Sequence, residues 1–245
     1  MRYVMDWETW RPKYENIVER LNLDRKMDRR SAELLHDILG KTDFSELKRR
    51  VTGNKCVVFG AGPSLEEDLE RMDRADWFDK VLVSADGATS AVMKYEVPAL
   101  VVTDLDGKVV DQLEAWRRGA WMVVHAHGDN LEEIKKVVPR LEGRVLGTTQ
   151  VDQPEQLPNF GGFTDGDRAA FMLHEFGASR IYLAGMDLGE EIGRYSGRTQ
   201  RDRKPIKLEI CGELLSWLAG ELGADLVNVT AEGEEIPGVP RREIS

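Results

Sequence analysis

Two aspartates at the end of an apolar run are the residues of this sequence best placed to do chemistry. Asp104 and Asp106 follow the run 99–102 and precede Gly107. Residues two apart in an extended chain point to the same side, so both carboxylates would face one spot at the carboxyl end of a strand. Like charges held this close need a positive partner, and Mg²⁺ carrying phosphate oxygens is the natural candidate. The alternative is an acidic turn, which these residues alone favour.

Acidic residues also follow four other predicted strands. In chain order, the aspartates at the five strand ends are Asp86, Asp104 with Asp106, Asp129, Asp165 with Asp167, and Asp187. The carboxyl ends of parallel strands meet at one edge of a sheet, and ligands bind at that edge. The joint placement favours a hard metal ion with phosphate over a set of unrelated turns. For Thr164, Asp165 and Asp167, capping of a helix is the alternative.

A glycine loop follows the first predicted strand, with the sequence Gly60-Ala61-Gly62-Pro63-Ser64. Ser64 and Glu67 have the spacing of a capping box, which predicts a helix after the loop. Free N–H groups at a helix N-terminus attract phosphate. The loop lacks the Gly-Lys-Ser/Thr of a P-loop and the third glycine of a dinucleotide fingerprint. A phosphate site and a plain tight turn are therefore equally compatible with it.

Basic residues gather after the strand end that carries Asp187. The cations of this segment are Arg194, Arg198, Arg201, Arg203, Lys204 and Lys207. A solvated loop is the default interpretation. A mobile basic loop beside an acidic metal site would also neutralise phosphate charge from the opposite side.

A histidine pair precedes the acid of the fourth strand end. His125 and His127 alternate like two zinc ligands, but no third ligand has matching spacing. A zinc site is therefore a weaker interpretation of this pair than a Mg²⁺ site or a strand that simply ends in polar residues. Asp129 brings a further carboxylate to the same edge, or it caps a helix that begins at Leu131.

The hydrophobic pattern predicts the elements that position these residues. Apolar residues recur at spacings of three and four in residues 1–54, which indicates an N-terminal helical segment. From Cys56 onward, short apolar runs alternate with helical stretches, which predicts an α/β fold with a mostly parallel sheet covered by helices on both faces. The predicted strands are 56–59, 81–85, 100–103, 121–125, 145–147, 181–184 and 226–229. The predicted helices of this part are 64–72, 88–95, 109–116, 131–141, 165–176 and 208–222.

These patterns divide the chain into a helical segment at 1–54, a catalytic α/β domain at 55–230 and an irregular tail at 231–245. Trp7, Trp10 and Tyr14 form an aromatic stripe on the first helix. The stripe favours packing or a subunit contact over a cofactor site. A homodimer through these helices is one prediction from it.

Composition excludes several classes of protein. The 245 residues are 41% hydrophobic and 32% charged, which allows a sizeable core. The net charge of −10 argues against nucleic acid as a partner. No apolar run spans a membrane, no signal peptide is recognisable, and Cys56 and Cys211 are too far apart for a metal or disulfide motif. We therefore expect a cytoplasmic protein.

The motifs together resemble a known family. GAGPSLEEDL, SADGAT, VTDLDG, HAHGDN, NFGGFTDGDRAA and AGMDLG occur in the order typical of the archaeal 6-hydroxymethyl-7,8-dihydropterin pyrophosphokinase family, between about residues 55 and 230. A more distant likeness is to the catalytic domain of thiamin pyrophosphokinase. There, acidic motifs are similar to Asp86-Gly87, to the pair Asp104 and Asp106, and to Thr164-Asp165.

The resemblance implies a Rossmann-like, thiamin-pyrophosphokinase-like fold and transfer of pyrophosphate from ATP to the hydroxymethyl group of the reduced pterin, with release of AMP. The pathway would make tetrahydromethanopterin or a folate-type cofactor. Asp104 and Asp106 would hold Mg²⁺ with help from Asp129, Asp165 or Asp167, and Lys204 and Lys207 would contact phosphates. The residues expected to bind ATP or pterin are Gly60, Gly62, Pro63, Ser64, Asp86, Gly87, Thr164 and Asp187.

Three alternatives remain. The chain also resembles part of the motility-associated glycosyltransferases that transfer nonulosonic acids. A thiamin-type pyrophosphokinase has similar motifs, and a non-catalytic nucleotide-binding module has a similar sheet. A binding module leaves the many mutually repelling aspartates unexplained.

Overall fold

A parallel sheet forms the centre of the computed structural model, which describes residues 5–152, 157–189, 191–197 and 203–244. All neighbouring strands of the seven-stranded sheet run parallel. Their short runs are rich in Val, Leu and Ile, which suits strands buried on both faces. The strands are β1 (Lys55–Phe59), β2 (Val81–Ala85), β3 (Leu100–Thr103), β4 (Trp121–Ala126), β5 (Val145–Thr149), β6 (Arg180–Ala184) and β7 (Leu226–Asn228).

Helices connect the strands and precede them. In the described part of the chain they are supplemented by the 3-10 turns Trp77–Asp79, Asp86–Ala88 and Val138–Arg140. The helices of the described residues are α1 (Trp7–Leu21), α2 (Arg25–Leu39), α3 (Ser45–Val51), α4 (Leu65–Arg74), α5 (Thr89–Val92), α6 (Val109–Arg117), α7 (Leu131–Val137), α8 (Asp165–Glu175) and α9 (Lys204–Gly220).

The order of the strands is β5-β4-β3-β2-β1-β6-β7. The chain builds outward from β1 to β5, and then returns to place β6 on the other side of β1. Such a reversal opens a crevice at the carboxyl ends of β1 and β6, which is where ligands bind in open α/β sheets. The topology therefore locates the candidate site before any side chain is considered.

Alternate residues of each strand serve opposite faces of the sheet. On β1, Cys56 and Val58 belong to the larger core with α8 and α9, whereas Val57 and Phe59 belong to a smaller core with α4 and α5. All four side chains are fully buried. Helices thus cover both faces, which gives the strand ends a rigid base.

The N-terminal helices share the larger core with the sheet. Trp10 is fully buried. Its ring stacks on Trp217 of α9 with the centroids 6.5 Å apart, and its Nε1 donates to the backbone oxygen of Gln150 at 3.1 Å. Because Trp10 and Tyr14 are covered within the chain, the aromatic stripe no longer argues for a subunit contact, and the homodimer stays a prediction. The division at residues 54 and 230 likewise stays a prediction.

The predicted α/β class, with its parallel sheet, helices on both faces and leading helical segment, is confirmed. Three helix predictions were wrong in extent. The helix predicted at 131–141 ends as α7 at Val137 and continues only as a 3-10 turn to Arg140. The helix predicted at 88–95 is reduced to α5 (Thr89–Val92) after a 3-10 turn, and the one predicted at 208–222 begins at Lys204. Lys204 and Lys207 therefore lie in the first turn of α9 rather than on a loop. Arg198 and Arg201 of the predicted basic loop lie outside the described residues.

Among the described residues, the structure contains no helix both long and apolar enough to cross a membrane.

Candidate active site

A cavity of about 140 Å³ lies at the carboxyl edge of the sheet. It is bounded by the ends of β1, β2, β3 and β6 and by the beginnings of α8 and α9. The predicted site residues that line it are Gly60, Gly62, Pro63, Asp86, Gly87, Asp104, Asp106, Thr164, Asp165, Asp187, Lys204 and Lys207. We call this space the edge cavity. The structure thus brings together twelve predicted residues from six places in the chain.

Three carboxylates form a tight group in the edge cavity. Asp86, Asp104 and Asp165 each offer an oxygen, and these oxygens all lie within 4.8 Å of one another. They come from the ends of β2 and β3 and the start of α8. Hard oxygen donors at this spacing fit Mg²⁺, which binds proteins through a few carboxylates and keeps positions for phosphate and water.

The Asp86 carboxylate is held firmly from one side. Its Oδ1 accepts hydrogen bonds from Thr103 Oγ1 at 2.8 Å, Gln112 Nε2 at 2.7 Å and the Gly107 N–H at 3.3 Å. All of its donors among the described residues bind Oδ1, which leaves Oδ2 for a ligand. Burial, followed by the charge of Asp104, raises the pKa of Asp86 to about 8. A bound cation would oppose that shift.

The Asp104 carboxylate has a different environment. Nε2 of His127 lies 3.2 Å from its Oδ2, and the Asp106 N–H donates to its Oδ1 at 3.2 Å. Asn130 Nδ2 donates to the Asp104 backbone oxygen at 2.8 Å. Burial acts to raise the pKa of Asp104, but the hydrogen bond and charge of His127, with Lys207, hold that pKa well below its usual range. Asp104 is therefore the member of the group that stays ionised most readily.

Arg168 holds the third carboxylate of the group. Its Nη1 donates to Asp165 Oδ1 at 3.0 Å, and its Nη2 donates to the backbone oxygen of Phe163 at 2.6 Å. Burial, followed by the charge of Asp104, raises the pKa of Asp165 despite this cation. Two of the three carboxylates thus resist ionisation in the absence of a positive ligand between them.

A left-handed turn at Leu105, with φ of 69°, separates Asp104 from Asp106. The expectation that the two carboxylates point to the same side of an extended chain was therefore wrong. Asp104 joins Asp86 and Asp165. Asp106 lines the cavity next to Gly197, where an added Cβ would lie 2.4 Å from Asp106 Oδ1.

Two acids predicted as metal ligands lie outside this group. Asp129 is exposed and does not line the edge cavity. Asp167 is fully buried and caps α8, because its oxygens accept the N–H groups of Phe163 at 2.8 Å and Thr164 at 2.7 Å. The capping alternative accounts for Asp167, and the structure corrects its assignment to the metal.

The glycine loop after β1 is tied to the end of β6. The Ser64 hydroxyl donates to Asp187 Oδ1, and the Ser64 N–H lies 3.2 Å from the same oxygen. The Gly60 and Gly62 N–H groups donate to the backbone oxygens of Ala184 and Gly185, both at 2.8 Å.

One prediction about this loop was therefore wrong. Ser64 makes no capping bond to α4, so the expected capping box with Glu67 does not form. The N–H groups of Gly60, Gly62 and Ser64 are bonded within the chain, as is the carboxylate of Asp187, and binding of phosphate by this loop stays a prediction. Gly60, Gly62 and Pro63 still line the cavity.

A segment that we call the strap, residues 191–197, lies over the edge cavity. It approaches the turns after β1 and β2 so closely that a Cβ on Gly87 would lie 1.8 Å from the Tyr195 backbone oxygen. Tyr195 donates its hydroxyl hydrogen to Glu66 on α4 at 2.8 Å, and Lys94 Nζ donates to the Tyr195 hydroxyl at 2.6 Å. The enclosed volume is below the ~300 Å³ of an ordinary ligand pocket, so a large ligand requires the strap to move.

Sequence reasoning missed two side chains that orient the carboxylates. The sequence suggests His127 only as half of a zinc pair, yet it faces Asp104, while His125 lies in the core with Nδ1 3.0 Å from Thr148 Oγ1. Arg168 stands three residues after Asp165, the spacing at which helix residues meet. That spacing indicates a contact between Arg168 and Asp165. The alternation of residues along β4 indicates that His127 reaches the strand end.

Comparison with known proteins gives a consistent result. The model of the family described as 6-hydroxymethylpterin diphosphokinase MptE-like matches residues 29–193. A 6-hydroxymethyl-7,8-dihydropterin pyrophosphokinase of Pyrococcus furiosus is 45% identical over 233 residues, which cover 91% of this chain and 98% of the relative. The protein of the same name from Methanocaldococcus jannaschii is 35% identical over 237 residues, covering 89% and 98% of the two chains.

A solved structure is similar in fold alone. The MAf glycosyltransferase from Magnetospirillum magneticum AMB-1 superposes with a TM-score of 0.52 and 14% identity, over 78% of this chain and 34% of that one. At this identity the likeness concerns the arrangement of the sheet and helices. It does not extend to the chemistry of the edge cavity.

Proposed function

The chain belongs to the 6-hydroxymethylpterin diphosphokinase MptE-like family, and from that premise we propose that it transfers the β,γ-pyrophosphoryl group of ATP to 6-hydroxymethyl-7,8-dihydropterin. The pterin hydroxymethyl oxygen forms a bond to the β-phosphorus of ATP. The bond from that phosphorus to the oxygen bridging to the α-phosphate breaks, and AMP leaves. The hydroxyl proton passes to a base, for which the carboxylates of the edge cavity are available.

The observation that carries this proposal is the group formed by Asp86, Asp104 and Asp165. Three carboxylates this close repel one another, and two of them have raised pKa values. The arrangement fits a hard divalent cation, and Mg²⁺ supplies charge neutralisation for a triphosphate when bound. Asp86, Asp104 and Asp165 would hold it, with Asp106 beside them.

Two lysines line the same cavity as this group. Lys204 and Lys207 line the edge cavity from the first turn of α9 and are half-buried. An ammonium group in that position neutralises charge on the transferred phosphates. Because both lysines stand on a helix, their placement does not depend on ordering a loop around each substrate.

The position of the strap is consistent with a nucleotide that enters the edge cavity and is then covered by the strap. Its cluster of Glu66, Lys94 and Tyr195 is on the surface of the molecule, where such interactions contribute little to stability and separate readily. We therefore propose that ATP enters when the strap opens. The adenosine would lie near the ends of β1 and β6, at the reversal of strand order.

The alternatives have less support. The glycosyltransferase likeness is one of fold, and this chain matches only 34% of that chain. A thiamin-type activity and a non-catalytic module find no counterpart among the relatives, whose names specify the pterin pyrophosphokinase reaction. We extend the proposal to a role in tetrahydromethanopterin or folate-type cofactor synthesis in the cytoplasm, where ATP is available.

One assay tests the proposal. The protein is incubated with Mg²⁺, ATP and 6-hydroxymethyl-7,8-dihydropterin, and AMP and the pterin diphosphate are measured by chromatography. We expect equal amounts of the two products and none without Mg²⁺. ADP in place of AMP, or AMP without a modified pterin, would exclude pyrophosphoryl transfer. Thiamin and a CMP-sugar, offered in parallel, test the two alternative substrates.

A further inference from the structure

A second cavity, of about 370 Å³, lies next to the edge cavity. One wall is the turn between α1 and α2, and the opposite wall is the turn after β4. Its size falls within the ~300–1,000 Å³ of small-molecule sites. We call it the hairpin cavity, after the helical hairpin of α1 and α2. Its lining includes Leu23, Asp24, Met27, Asp28, Phe163 and Arg168.

The two cavities meet at three residues. Asp104, Phe163 and Lys207 line both of them. A transfer reaction needs its donor and acceptor on opposite sides of the reacting phosphorus, at a distance of ~3–3.5 Å. Asp104 and Lys207 are the proposed metal ligand and phosphate contact. The junction is therefore where an acceptor hydroxyl has to arrive.

From this geometry we infer that the hairpin cavity is the binding site of the acceptor, a reduced pterin ring. The inference rests on the proposed function. The edge cavity, at the reversal of strand order and with the carboxylate group, suits the nucleotide. The hairpin cavity then receives the ring, with the hydroxymethyl group directed to the junction.

The lining of the hairpin cavity matches the chemistry of a pterin. The ring is planar, and Phe163, Leu23 and Met27 offer an aromatic face, an aliphatic side chain and a polarisable thioether. The amino-pyrimidinone edge presents two N–H donors and a 4-oxo acceptor. Asp24 uses Oδ1 to cap α2, and within the described chain its Oδ2 accepts no hydrogen bond, so it is available to the N–H donors.

An unsatisfied donor also points to a ligand with an acceptor. Arg168 is only 4% exposed, and its Nε–H has no hydrogen-bond partner among the described residues. A buried donor left without a partner destabilises the folded state. Arg168 lines the hairpin cavity, so a shift of its side chain toward the 4-oxo group of a bound ring would satisfy this donor. The same guanidinium holds Asp165 at 3.0 Å, so it would connect the ring site to the carboxylate group.

Asp28 joins the two walls of the hairpin cavity. This buried carboxylate accepts hydrogen bonds from the Gly128 N–H at 2.7 Å, the Tyr14 hydroxyl at 2.6 Å and Gln150 Nε2 at 2.8 Å. Helix α2 is thereby bonded to the turns after β4 and β5. The walls of the cavity are fixed relative to each other, because a buried carboxylate with three hydrogen-bond donors holds its position firmly.

The test fills each cavity separately. Met27→Trp places a large ring in the hairpin cavity, and Ile192→Trp is its counterpart on the strap, lining the edge cavity. Wild-type turnover with pterin is first established, because its absence would refute the proposed function itself. We then expect Met27→Trp to raise the KM for pterin by about tenfold or more, which is about 1.4 kcal/mol, with the KM for ATP within about twofold. Ile192→Trp should show the opposite pattern.

Direct binding provides a readout independent of turnover. The fluorescent oxidised analogue 6-hydroxymethylpterin is titrated into each variant without ATP or Mg²⁺, and circular dichroism checks the fold. If Met27→Trp does not fold, Leu23→Trp asks the same question. The inference would be overturned if the wild type is active and the folded hairpin-cavity variant binds the pterin analogue as tightly as wild type does. A rise in the KM for ATP alone would also overturn it.

Discussion

Nε2 of His127 lies 3.2 Å from Oδ2 of Asp104, so the turn after β4 orients the carboxylate at the end of β3. Partners of this kind fix metal-ligating carboxylates, and their removal weakens metal binding by ~10–100-fold. We therefore expect His127→Ala to raise the Mg²⁺ concentration for half-maximal activity by about that factor. A magnesium titration at saturating ATP measures it. An unchanged titration would show that His127 does not orient the ligand.

Asp165 and Asp129 provide a contrast between an acid inside the carboxylate group and one outside it. Asp165→Asn removes a proposed metal ligand, and we expect turnover to fall by about a thousandfold, as for other groups that stabilise transition-state charge. Asp129→Asn changes an exposed side chain, and its half-saturating Mg²⁺ concentration should stay within about twofold of wild type. Normal turnover in Asp165→Asn, together with a raised half-saturating Mg²⁺ concentration in Asp129→Asn, would refute the carboxylate group seen in the structure.

The carboxylate of Asp86 leaves no room for a side chain at Gly107. A Cβ on Gly107 would lie 2.1 Å from Asp86 Oδ2 and 2.8 Å from its Cγ. Gly107→Ala must therefore displace the carboxylate, and we expect Mg²⁺-dependent activity to fall by at least about tenfold, with the fold retained. Gly220→Ala is the matched control, because an added Cβ at this end of α9 would meet nothing within 4 Å beyond its chain neighbours and its own helix backbone. Equal activity of the two variants would contradict this account.

The carboxylate group also predicts how stability depends on pH. The pKa of Asp86 is raised from 3.8 to about 8, chiefly by burial and then by the charge of Asp104. The folded state thus favours the protonated carboxyl. Its contribution to the free energy of unfolding is complete below about pH 4 and is lost as the pH rises through about 8. Without Mg²⁺, we expect thermal unfolding to occur at lower temperature at pH 8.5 than at pH 6.

Asp86→Asn isolates that contribution. The amide oxygen keeps the place of Oδ1 and its donors from Thr103, Gln112 and Gly107, while the charge is removed. We expect the metal-free variant to be about 1 kcal/mol more stable at pH 8.5, a rise in Tm of ~2–4 °C for a chain of this size, at the expense of activity. Calorimetry at pH 6 and pH 8.5 measures the difference. A lower Tm for Asp86→Asn than for wild type at pH 8.5 would refute the claim that the charge of Asp86 destabilises the metal-free protein.

The arrangement of the sheet was predictable because hydrophobic periodicity is local. Each buried strand is a short apolar run, and the ends of all seven strands fall within two residues of the predicted positions. The rule that ligands bind at the carboxyl edge then located the site. Asp86, Asp104 and Asp165 were all proposed on that basis, although Asp86 was assigned to ligand binding rather than to the metal.

Contacts between distant residues were not predictable in this way. Ser64 had the local pattern of a capping residue, but its hydroxyl bonds Asp187, which lies 123 residues later in the chain. The turn at Leu105 depends on its φ of 69°, which a leucine adopts only when the surrounding packing enforces it. The role of Asp28 was not predictable, because its partners at Gly128 and Gln150 become its neighbours only after folding.

The strap has a kinetic consequence. A closed strap leaves the edge cavity too small for free exchange of a nucleotide, so under the proposed function we expect AMP to depart only after Tyr195 separates from Glu66 and Lys94. Loop opening of this kind sets the turnover rate of many enzymes. We expect the steady-state rate to report this separation, and pre-steady-state mixing to reveal a burst of pterin diphosphate whose size matches the concentration of enzyme.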